Sequence, residues 1–423
     1  MSLAWISVGA LVLAVGLSCV TTINVGILSL AMALIVGVFL GKMTTAAVLA
    51  GFPTDLFVTL IGVTLLFSIA ECNGTLARLT ARAVRLCRGH RGLLPIMFFV
   101  IGFIVSTIGA GATPTSALLA PPAMAIAARA GIPALLMVLM AGNGALAGTL
   151  SPFAPTGIVA HGVMARIGLG GHEWQTFGYN AMAHATVGIG GFLLLGGWKL
   201  FLAPKAADGA NAAGTTASRA PEPEAGPFEA AHWLTTLAIV LLVVSVAGFK
   251  LNVGMMAVIL ATGLILLRTV DESKAIKSMP WGVILMVTGV TVLVNMMQET
   301  QGLALITSGI ANISTPTTIE PVVAFGTGLV SVYSSTSGVV LPAFLPMVPD
   351  LATRMGGIVP LSIAWSMNVG ASLVDLSSLS TVGALFIAGA APGTDVRKLF
   401  NGLLVWGMSM SLVGAAICWI LFG

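Results

Sequence analysis

Charge is what this sequence most lacks. Asp, Glu, Lys and Arg make up 8% of its 423 residues, where a soluble domain carries about a quarter. With 57% hydrophobic residues and a mean hydropathy of +1.05, the chain cannot keep its surface in water, which excludes a soluble globular protein. Cysteine is scarce too: Cys19, Cys72, Cys87 and Cys418 lie far apart and form no CxxC, so no disulfide framework or metal site is indicated. Histidines 90, 161, 172, 184 and 232 form no HExxH, and GxSxG and the P-loop GxxxxGK are both missing. No serine pairs convincingly with a His or Lys for intramembrane proteolysis. An enzyme and an ATP-driven pump are therefore not expected, and any energy must come from an ion or solute gradient. No resident cofactor is expected beyond a coupling ion. The net charge of +4 does not indicate nucleic acid, because the basic residues follow membrane sidedness.

What the sequence does contain is a repeat. Asn24-Val25-Gly26 returns as Asn252-Val253-Gly254, Pro53 as Pro280, and Gly62-Val63-Thr64 as Gly289-Val290-Thr291. Val105-Ser106 returns as Val330-Ser331, Pro121 as Pro346, Asn143 as Asn368 and Thr156 as Thr381, always in order and at offsets of 225 to 228. Apolar runs of bilayer length, ~20 residues, lie at about 3–21, 24–41, 50–72 and 180–202, and again at about 231–249, 252–268, 281–299 and 400–421. Met1 to Val20 lacks a basic start and a cleavage site and reads as the first span.

Between these runs lie two longer stretches rich in Gly, Pro, Ser and Thr. Each reads as a re-entrant hairpin (92–130 and 318–353) followed by a broken helix (133–168 and 357–392), interrupted at Gly109–Ser116, Asn143–Thr156, Ser334–Gly338 and Asn368–Thr381. Irregular backbone at membrane depth is tolerated only where it is buried in protein or lines a cavity. The expected fold is an all-α integral membrane protein of two inverted repeats, each with five transmembrane helices (one broken) plus one hairpin. The repeats are 1–203 and 231–423, and a Pro- and Ala-rich cytoplasmic linker at 204–230 joins them.

Five spans per half invert the second copy, and the basic residues test this. With both termini outside, fourteen of the eighteen Lys and Arg fall on the cytoplasmic side, among them Arg78, Arg82, Arg85, Arg88, Arg91 and Arg129. Only Lys42, Arg166, Lys250 and Arg354 fall outside. The first hairpin then enters from the cytoplasm and the second from outside.

No Lys or Arg falls near the expected midplane, so an anion there must be held by helix N-termini, hydroxyls and bound cations. A lone hydroxyl in a membrane helix usually bonds back to its own backbone, but clusters at matching positions of two repeats point to binding. Candidate substrate-binding residues are Thr113, Thr115, Ser116, Ser151, Pro155, Thr156, Ser334, Ser335, Thr336, Ser337, Ser380 and Thr381. Candidate cation-binding residues are Gly109, Gly111, Thr113, Asn143, Gly144, Thr336, Asn368, Gly370 and Asp375, with Na+ the suspected metal. They divide into one set near Thr113, Asn143 and Gly144 and another near Thr336, Asn368 and Asp375.

Asp375, the one carboxylate inside an expected break, is costly at that depth. It can ligate sodium, take up a proton, stay neutral within hydrogen bonds, or face the cytoplasm if the helix register differs. Asp55, Glu71, Glu299 and Glu320 read as interfacial, and His161 as a packed histidine or a weak proton relay.

Ala50-Gly51-Phe52-Pro53-Thr54-Asp55-Leu56-Phe57, Leu65-Leu66-Phe67-Ser68-Ile69-Ala70 and Asn73-Gly74-Thr75 resemble the N-terminal region of MatC-type dicarboxylate carriers. Arg85-Leu86, Arg88-Gly89 and Ser151-Pro152 fit the same pattern. These carriers belong with the divalent anion–sodium symporters of the ion transporter superfamily. The resemblance implies a homodimer in a bacterial inner membrane, with a scaffold, a mobile transport domain and an elevator motion. It also implies sodium-coupled uptake of malonate, malate or succinate. The family marks each hairpin tip with Ser-Asn-Thr, whereas Gly111-Ala112-Thr113 and Ser334-Ser335-Thr336 stand here without the asparagine. The alternative is an ion exchanger or oxyanion efflux protein of the same superfamily, resembling a sodium/proton antiporter. A passive pore is disfavoured by the duplicated hairpins.

Overall fold

The computed structural model describes residues 2–85, 91–202 and 227–423. Most of the expected linker, up to residue 226, therefore lies outside the described residues, as do Leu86, Cys87, Arg88 and Gly89. Every regular element among the described residues is a helix. The principal ones in the first half are α1 (Leu3–Val20), α2 (Val25–Leu34), α3 (Thr54–Cys72), α4 (Leu93–Val105), α5 (Ala112–Ala130), α6 (Ala134–Ala147), α7 (Pro155–Arg166) and α8 (Glu173–Leu194). The second half contributes α9 (Ala230–Phe249), α10 (Val253–Leu266), α11 (Trp281–Glu299), α12 (Ile319–Tyr333), the short α13 (Leu341–Phe344), α14 (Pro360–Leu373), α15 (Thr381–Ala388) and α16 (Val396–Phe422). Five stretches are long and apolar enough to cross a membrane: Thr54–Cys72, Leu93–Ala110, Trp281–Glu299, Pro360–Ala388 and Val396–Phe422.

Contacts between elements come in matching pairs. α2 crosses α11 so closely that a methyl on Gly289 would lie 2.0 Å from the Gly26 carbonyl oxygen. α3 crosses α10 in the same way, with a methyl on Gly62 falling 2.7 Å from the Gly254 oxygen. Small residues at such crossings let backbones touch, which is how helices gain packing energy without a hydrophobic difference from lipid. Each of these crossings joins one helix of the first half to one of the second. Within the halves, Gly144 on α6 abuts the Phe99 backbone on α4, and Gly370 on α14 abuts the Ala324 backbone on α12.

The two hairpin tips are made by different chemistry. In the first, Gly109 (φ 125°) and Gly111 (φ 77°) adopt the left-handed backbone that glycine alone enters freely, and α5 starts at the next residue. In the second there is no such glycine. Ser334 and Ser335 are extended, and Ser335 Oγ accepts the Gly338 N–H at 3.0 Å, capping a tight turn over Thr336–Val340 that leads into α13.

The two broken helices part later than the sequence suggests. Asn143 and Gly144 lie within α6, and Asn368 and Gly370 within α14. The gaps fall at 148–154 and 374–380. The glycines that read as break points instead let α4 and α12 approach.

Candidate functional site

Four helices begin at one place. α5 opens at Ala112, α7 at Pro155, the capped turn at Thr336 and α15 at Thr381, and residues from all four starts line a common cavity of about 470 Å3. Ala112, Thr113, Thr156, Ser334, Ser335, Thr336, Ser337, Asp375, Ser380 and Thr381 contribute to its wall. Opposite them stand Ser18, residues 21–25 and Met286. A second cavity of about 260 Å3 is lined by Gly109, Gly111, Pro114 and Pro155 on one side and Thr64, Phe67, Ser68 and Glu71 of α3 on the other. Thr113, Thr156, Ser337 and Thr381 border both cavities and form the partition between them.

Among the described residues, no Lys, Arg or His lines either cavity. The carboxylates are Asp375 in the larger and Glu71 in the smaller. The positive ends of four helices, with the first-turn N–H groups left over after the bonds to Ser335, Ser380 and Thr149, thus supply the attraction an anion would feel.

Asp375 sits in the second gap on a short turn, Val374–Leu376. Thr336 Oγ1 donates to its Oδ1 at 2.6 Å, and Ser331 Oγ lies 3.5 Å from the same oxygen. Thr336 Oγ1 is also 3.3 Å from the Ala371 carbonyl. A carboxylate, two hydroxyls and a carbonyl from three segments therefore face one another, and the Asp375 side chain forms part of the cavity wall. Ser380 Oγ donates to the Asp375 carbonyl and accepts the Gly383 N–H at 3.1 Å, capping α15.

The expected second cation set is thus assembled in part: Thr336 and Asp375 meet, but Asn368 does not join them. Its amide donates to Ala364 O at 2.8 Å and contacts the Met164 sulfur at 3.6 Å, while its Oδ1 is buried without a protein partner. The first set is not brought together. Asn143 is fully buried and engaged by Leu139 O and by His184 Nδ1 at 2.9 Å, leaving Thr113 alone on the cavity. Register explains the difference. The starts of α6 and α14, Ala134 and Pro360, and of α7 and α15, Pro155 and Thr381, are 226 residues apart, whereas the two asparagines are 225 apart and so project in different directions.

Thr115 and Ser116, expected at the first tip, are buried inside α5 with hydroxyls that have no partner. Ser151 is buried as well, its Oγ holding the Thr107 carbonyl at 2.6 Å and so pinning the first gap to the hairpin. His161 packs, with Nε2 2.9 Å from Leu150 O in that gap. Glu320, expected near a span end, is 2% exposed in the first turn of α12 and accepts the Ser362 hydroxyl at 2.9 Å. Ser331 was not anticipated as a site residue. Its signal was the recurring Val-Ser of the repeat.

Residues 1–149 match the family model of the dicarboxylate carrier protein MatC N-terminus. That match spans about a third of the chain and is a likeness to the N-terminal part of such carriers. No curated protein sequence matches the chain. Among solved structures, the YdaH transporter of Alcanivorax borkumensis superposes with a TM-score of 0.59 at 16% identity, over 88% of this chain and 86% of that one. MtrF of Neisseria gonorrhoeae, described as illuminating a class of antimetabolite efflux pumps, gives 0.57 at 13% identity over 90% and 83%. The matched carrier model and the structures that share the fold are membrane transporters, not enzymes, and the apolar helices make the chain an integral membrane protein.

The matched segment contains the Asn73-Gly74-Thr75 motif. Asn73 Oδ1 accepts from Thr75, its Nδ2 reaches Thr235 Oγ1 at 2.8 Å, and its carbonyl meets His232 Nε2 at 2.9 Å, binding the end of α3 to α9 of the other half.

Proposed function

We propose that the protein is a secondary active transporter that takes up a small dicarboxylate such as malonate, malate or succinate, coupled to sodium, by an elevator-type movement. The observation that carries this reading is the convergence of four helix N-termini on a cavity that no basic side chain lines among the described residues. Main-chain N–H groups and hydroxyls would hold each carboxylate, and a cation would offset the charge. The oxygens of Asp375, Thr336, Ser331 and Ala371 fit a hard cation, which takes oxygen ligands. They would hold sodium beside the substrate.

In this reading 1–203 and 231–423 are inverted repeats joined by a cytoplasmic linker at 204–230, with both termini outside a bacterial inner membrane. The hairpins 92–130 and 318–353 re-enter from opposite faces, and 133–168 and 357–392 are the broken spans of a mobile domain within a homodimer. Both cavities border the first turns of α11, where Asn24 Nδ2 bonds Gly282 O at 2.8 Å. That topology makes this end cytoplasmic, so the conformation is inward-facing.

The test is uptake into proteoliposomes, comparing malonate, malate, succinate and citrate under imposed sodium and proton gradients. Sodium-driven accumulation of a diacid is the expected result. Absence of diacid flux under either gradient would overturn the reading. Alanine at Thr113, Thr156, Ser337 or Thr381 should each raise the substrate KM by about tenfold or more, the scale of a lost hydrogen bond to a charged group, about 1.5–3 kcal/mol. Unchanged uptake in all four would remove the partition from the site. A second reading, an ion exchanger, draws on Asp375 within the gap; it predicts cation flux without organic acid.

A further inference from the structure

One side chain ties the two helix gaps together. α8 runs beside both α6 and α14. Asn180 Nδ2 donates to Leu146 O at 3.0 Å and Ala147 O at 3.3 Å, the last carbonyls of α6 before the first gap. Asn180 Oδ1 accepts the hydroxyl of Ser372 at 2.5 Å, in the last turn of α14 before the second gap. One turn further along α8, His184 makes the same bridge again, with Nδ1 2.9 Å from Asn143 Oδ1 and Nε2 3.4 Å from Ser372 Oγ. Asn143, Asn180, His184 and Ser372 are all wholly buried.

The last carbonyls of a helix lack the usual intrahelical partner; Leu146 O takes the Thr149 N–H at 3.1 Å, and the Asn180 amide adds a bond to it and to Ala147 O while accepting from α14. A buried polar network of this kind holds its members in one arrangement, because any other leaves groups unpaired in a low dielectric. The network lies directly behind the site: Leu146 lines the larger cavity, and Ser372 precedes Asp375 by three residues.

We propose that Asn180 and His184 are positioning residues that fix the separation of the two half-sites, the α7 start at Thr156 and the α15 start at Thr381, and thereby select the length of the diacid. The proposal rests on the dicarboxylate reading. Each half-site takes one carboxylate, so their spacing matches one number of intervening methylenes better than others. Small displacements of a binding group are enough to alter recognition.

The experiment measures KM for malonate, succinate and glutarate in proteoliposomes containing wild-type protein, Asn180→Ala, Asn180→Asp or Ser372→Ala. In Asn180→Ala and Ser372→Ala the preference among the three acids should narrow by about fivefold, the scale of one buried hydrogen bond, through KM more than through maximal rate. Asn180→Asp keeps the acceptor for Ser372 but loses the donors to Leu146 and Ala147, and should give an intermediate preference. Ser372→Ala deletes only one hydroxyl and carries the test if Asn180→Ala fails to fold. A uniform rise in all three KM values, or an unchanged preference, overturns the positioning role. Absence of diacid uptake by the wild type overturns the dicarboxylate reading itself, and the positioning role with it.

Discussion

Gly383→Ala and Gly157→Ala should each reduce transport at least tenfold, while Gly326→Ala leaves it intact. A methyl on Gly383 would sit 2.0 Å from the Ser377 carbonyl oxygen, and one on Gly157 equally 2.0 Å from that of Ser151. Real side chains do not approach so closely, so the gap must shift away from the helix that follows it. Overpacking of this kind typically costs about 1–3 kcal/mol, and at these positions the strain falls on the backbone that aims Thr156 and Thr381 into the cavity. Gly326 on α12 has open space around its Cα, so the same substitution there meets nothing. Initial uptake rates and melting temperatures in detergent, compared across the three variants, decide the matter. If Gly383→Ala transports like Gly326→Ala, the tight turn is not what orients the site.

The second large effect belongs to Asp375. Replacement by Asn keeps the size and one acceptor oxygen but removes the charge facing Thr336 and Ser331. Hydrogen bonds and ligand contacts to charged groups contribute about 1.5–3 kcal/mol, so the sodium concentration giving half-maximal uptake should rise at least tenfold. Uptake measured against sodium, with ionic strength held by an organic cation, reads this directly. An unaltered sodium dependence would take Asp375 out of the proposed cation site. Thr336→Ala should move the same curve in the same direction by less, because it removes a neutral ligand.

Much of this architecture is legible in the sequence because its causes are local. Glycines and prolines within apolar runs announce interruptions, and the helices do part at Gly109, Gly111 and around Ser334–Ser335. Asp375 stands out because an acid inside an apolar segment demands a reason. The asparagines mislead for a different reason. Asn143 and Asn368 match by identity, but their helices align one residue out of step, and a helix turns about 100° per residue. One asparagine therefore meets α8 and the other Met164. Glycine carries a similar ambiguity. Gly144 and Gly370 look like flexible points, yet their missing side chains admit a neighbouring backbone, and only the three-dimensional partner distinguishes those uses. Asn180 was invisible because nothing in its own segment records that the ends of two distant helices reach it.

The crossings at Gly26 with Gly289 and at Gly62 with Gly254 have a consequence for biogenesis. During synthesis α2 and α3 emerge more than 180 residues ahead of α10 and α11, the helices that fill their notches. Until then those notches face lipid or the insertion machinery. A gene severed between the halves should therefore yield two fragments that are degraded when made singly and rescued when made together.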